Sequence, residues 1–120
     1  MGVTGIGGIL FTAKDPAALN AWYTKYLGVN NLNVNHEPWM QQAGPTVFAV
    51  FPTDSDMFND SQRFILNFRV EGLDDFMKQL KADGVKVVKD IEEQTGVGLF
   101  ASIEDPEGNR VELWEPKEEA

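Results

Sequence analysis

Two segments of this chain follow the same order, a short apolar strand, an amphipathic helix and a closing Gly-Val, and this repeated order constrains the fold more than any other feature. In the first, Ile6 to Ala13 is too glycine-rich to begin a helix and reads as a strand. Asp15-Pro16 supplies a capping acceptor and a proline for the first helical position. Leu19, Trp22, Tyr23 and Tyr26 keep helical spacing, and Gly28 ends the helix ahead of Val29. In the second, Phe64 to Val70 reads as a strand. Leu73, Phe76, Met77 and Leu80 then line one helix face, and Gly84-Val85 closes it. Three strands are expected after it, at Val85 to Lys89, Gly98 to Glu104 and Arg110 to Glu115. The turn between the last two contains Asp105-Pro106-Glu107-Gly108-Asn109. The middle is less ordered by pattern, with a weak strand near Glu37 to Gln42, a stronger one at Thr46 to Phe51 and a polar loop from Pro52 to Gln62. Two small α/β units that must share a core fit this order, and an unrelated α+β domain fits it too.

Composition removes several functional classes. The chain of 120 residues carries 10 basic and 19 acidic side chains, a formal net charge of −9, which disfavours a phosphate-backbone partner. It has no cysteine, so disulfides, thiolate nucleophiles and thiolate metal sites are excluded. Its single histidine, His36, lies in a polar segment and is expected to be exposed. No secretory pattern or apolar run of membrane-spanning length is present, so a cytoplasmic protein that binds neither nucleic acid nor membrane is expected. The acidic end with Glu118 and Glu119 reads as solvated.

The string DPEGNRVELWEP, Asp105 to Pro116, resembles the terminal motif of the vicinal oxygen chelate superfamily, the glyoxalase, bleomycin-resistance and ring-cleaving dioxygenase group. AKDPAALNAWYTKYLGV (13–29) and FRVEGLDDFMKQLKADGV (68–85) extend the resemblance to both halves. It implies an α+β fold in which two βαβββ modules, about 5–60 and 62–116 of a single domain, pair curved mixed sheets into a cup. A homodimer is implied as well. The family's enzymes hold a divalent metal in the cup. Gly8 and Ile65 stand where the resemblance places histidine ligands, and Glu112 alone retains a ligand position. One carboxylate does not hold a catalytic transition metal against water, so neither metal nor other cofactor is expected.

Strand alternation puts Arg110, Glu112 and Trp114 on one face and Val111 and Leu113 on the other. Likewise Ile65, Asn67 and Arg69 oppose Phe64, Leu66, Phe68 and Val70. Phe100, Ser102 and Glu104 share a face whose sense the pattern leaves open. The expected cup therefore has Asn67, Glu112 and Arg110 as polar groups and Trp114, Trp39 and Phe48 as apolar walls, a make-up suited to a small molecule. The acid surplus suits a cationic ligand, and a cationic or aromatic small molecule is the expected partner. Glu112 is the candidate catalytic group, as a general base. A solvated sheet face on which Glu112 pairs with Arg110 or Arg69 is the plainer alternative. Three functions fit. They are a metal-free small-molecule binder, a glyoxalase-type lyase, isomerase or dioxygenase acting through a metal or Glu112, and a regulatory or interaction module without ligand.

Overall fold

The computed structural model describes residues 2–30 and 36–117. Helix α1, Pro16–Leu27, begins where the Asp15 carboxylate accepts from the Ala18 N–H at 3.1 Å. It ends at Gly28, whose φ of 67° lets its N–H turn back to the Thr24 carbonyl. Strand β1 is Leu66–Arg69, followed by helix α2, Leu73–Ala82, and strands β2, Lys86–Gln94, β3, Gly98–Glu104, and β4, Arg110–Pro116. The four strands form one mixed sheet in the order β1-β4-β3-β2. Of the neighbouring pairs among the described residues only β1 and β4 run parallel, and α2 carries the chain from β1 across the sheet to β2 at its other edge. This is a βαβββ module, and the α+β class expected from the sequence is present.

Burial follows the alternation. Val111, Leu113, Ala101 and Ile103 enclose a core with Leu73, Met77 and Leu80 of α2. Leu19 and Tyr23 of α1 join the same cluster, so both helices cover one face of the sheet. Gly72, at the head of α2, offers no capping side chain. The Glu115 carboxylate accepts from the Leu73 N–H instead, at 2.7 Å, and fastens the helix to β4. The β3–β4 turn is locked by Asp105, which takes the N–H groups of Glu107 and Asn109 at 2.9 Å each. β2 runs five residues further than its apolar pattern indicates, with two register shifts, because its charged outer residues suit a sheet edge.

The first half differs from expectation. Among the described residues, ladder-paired strands begin at Leu66, and the strands expected at Ile6 to Ala13, Glu37 to Gln42 and Thr46 to Phe51 make no ladder. Within one chain these segments bury little: Leu10 is 93%, Phe48 83% and Val50 88% exposed. Strand propensity expresses packing and pairing more than backbone preference, and here neither is supplied. Residues 31–35 of the polar middle segment and the acidic tail with Glu118 and Glu119 lie outside the described residues.

Candidate functional site

The face of the sheet turned away from both helices carries the expected polar groups. β1 and β4 are in a register that sets Asn67 opposite Glu112, and the Asn67 Nδ2 donates to Glu112 Oε1 at 2.6 Å. On the other side of β4, Ser102 lies opposite Glu112 and Phe100 opposite Trp114. This assigns the face that the sequence pattern leaves open for β3. The two rings stack nearly parallel, with centroids 5.9 Å apart and planes 7° from coplanar. Trp114 is almost buried, and its indole N–H donates to the Val97 carbonyl at 3.1 Å, closing the β2–β3 turn against the strand.

Both arginines of this face are engaged elsewhere than with Glu112. Arg110 donates through Nη1 to the Met57 carbonyl and through Nη2 to the buried Ser102 hydroxyl, each at 3.1 Å. Gln62 pairs with the Arg110 backbone in both directions, at 2.8 and 2.9 Å, as a strand would. No sequence pattern marks Gln62 for that part. Arg69 donates to the Gln42 carbonyl at 2.8 Å and to the Pro45 carbonyl at 3.0 Å. The plainer alternative, an ion pair of Glu112 with Arg69 or Arg110, is not what the side chains make.

Trp39 lies against β1, its ring 6.1 Å from that of Phe68, and Phe48 stands 83% exposed. His36 is exposed, with a left-handed φ of 61°. A hollow of about 730 Å³ opens at the far end of the sheet, bordered by Glu71, Gly72, Glu93, Thr95, Leu99 and Glu115, and lies outside this face.

The family's metal fails a test of the donors. Gly8 has no side chain to offer, Ile65 is aliphatic, and the group hydrogen-bonded to Glu112 is an amide. Among the described residues no three histidine, cysteine or acidic side chains gather where they could share an ion. The residues present therefore do not fit that metal.

A four-stranded βαβββ sheet with its helices on one face and Asn67, Glu112, Phe100 and Trp114 on the other is an α+β architecture of the class expected from the sequence. The profile of the Glyoxalase/Bleomycin resistance protein/Dioxygenase superfamily matches residues 5–113, and the chain belongs to that superfamily. No curated protein matches it in sequence. Solved structures match over nearly the whole chain. TnmS3, an antibiotic binding protein from Streptomyces sp. CB03234, is 19% identical with a TM-score of 0.64, covering 98% of this chain and 99% of its own. The fosfomycin resistance protein FosX from Listeria monocytogenes is 16% identical, TM-score 0.64, over 96% and 95%. A lactoylglutathione lyase from Agrobacterium tumefaciens is 19% identical, TM-score 0.59, over 94% of each. At these identities the likeness establishes the fold. No helix among the described residues is long and apolar enough to cross a membrane.

Proposed function

We propose that this protein binds a small aromatic molecule, without a metal, on the face built by β1, β4 and β3. The observation that carries the reading is Glu112, with one oxygen held by Asn67 at 2.6 Å and the other free of any partner among the described residues. A carboxylate oriented in this way presents an acceptor to a ligand's N–H or O–H group. The Phe100–Trp114 stack two residues along supplies a flat apolar neighbour. Arg69 and Arg110 lie on the same face, so the local charge does not follow the −9 of the whole chain. That balance favours an aromatic ligand with a donor group over a bare cation. The neighbour described as an antibiotic binding protein and the one described as a fosfomycin resistance protein are in keeping with a binding role.

Catalysis stands behind binding in this reading, because the cross-strand neighbours of Glu112 are the Asn67 amide and the Ser102 hydroxyl, and neither is a titratable partner for acid–base work. A homodimer belongs to the same proposal. Leu10, Phe48 and Val50 are left in water by a single chain, and a second copy would cover them. A cytoplasmic location belongs to the same proposal.

Fluorescence titration with three dyes tests the binding reading: aminomethylcoumarin, neutral with a donor; methoxycoumarin, neutral without one; and proflavine, a planar cation. Aminomethylcoumarin is expected to bind best and to lose about tenfold in affinity in Glu112→Gln, the cost of about one charge-assisted hydrogen bond. Equal binding of all three dyes, or indifference to Glu112→Gln, would remove Glu112 from the site. A stoichiometric transition metal retained on purification and lost in Glu112→Gln would overturn the metal-free part.

A further inference from the structure

β1 is an outer strand of the sheet, and residues 39–45 wrap its open edge. Trp39 packs on Phe68, which belongs to the helix-side core. Three residues later the chain has reached the opposite face, where the Arg69 guanidinium takes the Gln42 and Pro45 carbonyls at 2.8 and 3.0 Å. Adjacent residues of a strand point to opposite faces, so a segment held by both Phe68 and Arg69 must pass around the edge between them. The Asn30 side chain steadies its start by donating to the Pro38 carbonyl at 3.3 Å. Gly44 is where the guanidinium passes the strap. A Cβ there would collide with Arg69 Nη1 and Cζ.

We infer that Arg69 is a positioning residue for the proposed cup: it clamps residues 42–45 as the wall beside Asn67 and Glu112 and controls ligand affinity without touching the ligand. The inference rests on the binding reading above. The geometry needs arginine in particular. A planar fork with several donors spans two carbonyls at once, whereas an ammonium is a single point of attachment. It also needs the strap to hold no ladder of its own, which is the case for residues 39–45. With few backbone bonds, two charge-assisted contacts make up a large share of what orders it.

Limited chymotrypsin digestion with the cuts mapped after Trp39 and Met40, run beside aminomethylcoumarin titration, separates the clamp from the cup. In Arg69→Gln these cuts are expected to come about tenfold faster or more, while cutting after Phe76 in α2 keeps its rate. Dye affinity should fall by a similar factor, with Arg69→Lys intermediate in both. Gly44→Ala, which displaces the guanidinium without removing it, should move both readings in the same direction and serves where Arg69→Gln folds poorly. Unchanged strap cutting in Arg69→Gln would overturn the clamp whatever the dye does. Faster cutting with unchanged affinity would overturn the positioning role. A wild-type protein that binds none of the dyes would overturn the binding reading and the positioning role with it, while strap cutting still judged the clamp.

Discussion

The Tyr23 hydroxyl donates to Asp105 Oδ2 at 2.7 Å, linking helix α1 to the β3–β4 turn across 82 residues of sequence. Asp105 is buried, and its two oxygens also receive the N–H groups of Glu107 and Asn109 and the Asn109 amide. A second carboxylate of the same turn, Glu107, accepts from the Lys14 and Asp15 N–H groups just ahead of α1. The turn thus serves as the seat on which the first helix is mounted.

Tyr23→Phe keeps the ring in the core and removes one donor from a buried carboxylate. It should lower unfolding free energy by about 1–3 kcal/mol, read from urea melts at neutral pH. Burial first, then the hydrogen bond to Asp105 and its charge, push the Tyr23 phenol well above its ordinary value of 10.0. The folded state therefore keeps this proton at a pH where the unfolded chain releases it. The associated stability is complete below pH 10.0 and declines as pH rises beyond it. Urea melts stepped through alkaline pH should show that decline in the wild type and a shallower one in Tyr23→Phe.

The core and the first half should respond oppositely to truncation. Leu80 is 1% exposed, and Leu80→Ala should cost about 2–5 kcal/mol through lost burial and a residual cavity. Leu10→Ala, at a side chain 93% exposed in one chain, should leave the unfolding free energy of the monomer within about 0.5 kcal/mol. Sedimentation should instead find weaker self-association in Leu10→Ala and Phe48→Ala, if the second copy covers these side chains.

Gly98 opens β3 opposite Pro116 with φ at 134°, and a Cβ there would run into the Glu115 carbonyl oxygen. Gly98→Ala should therefore cost more than the roughly 1–2 kcal/mol expected for a left-handed alanine alone. Gly96, at φ 82° with open space around its Cα, is the comparison, and Gly96→Ala should cost only that smaller amount in thermal or urea melts.

At the site, stability and binding should part company. Glu112 and Asn67 meet at a partly solvated face, so Glu112→Gln should change unfolding free energy by no more than about 1.5 kcal/mol. Asn67→Ala should weaken aminomethylcoumarin less than Glu112→Gln does, since it loosens the carboxylate without removing it. A double-mutant cycle on dye affinity measures that coupling.

The second half was legible because its signals agree with one another. The helix stripe at Leu73, Met77 and Leu80, the Asp105–Asn109 turn and the alternation at Val111 and Leu113 all describe one module, and its sheet forms with those residues inside. Alternation also placed Asn67 and Glu112 on one face, since period two is a property of the strand itself. It could not assign the sense of Phe100, Ser102 and Glu104, which depends on register with β4. Nor could it find the engagements of Arg69 and Arg110, because three of their acceptors are backbone carbonyls of distant loops, which any residue can supply, and the fourth, the Ser102 hydroxyl, depends on the register of β3 with β4.

Local covalent preference and periodicity are what a sequence carries by itself. Here they determined the two helices, the strands of the second module, the faces that β1 and β4 present, and the superfamily resemblance with Gly8 and Ile65 where histidines were implied. The tertiary structure decided the rest: that Glu112 is held by Asn67 and not by an arginine, that Tyr23 is tied to Asp105, and that Thr46 to Phe51 forms no ladder within one chain. Hydrogen-bond partners far apart along the chain are chosen by packing, and a strand exists only where another strand completes it.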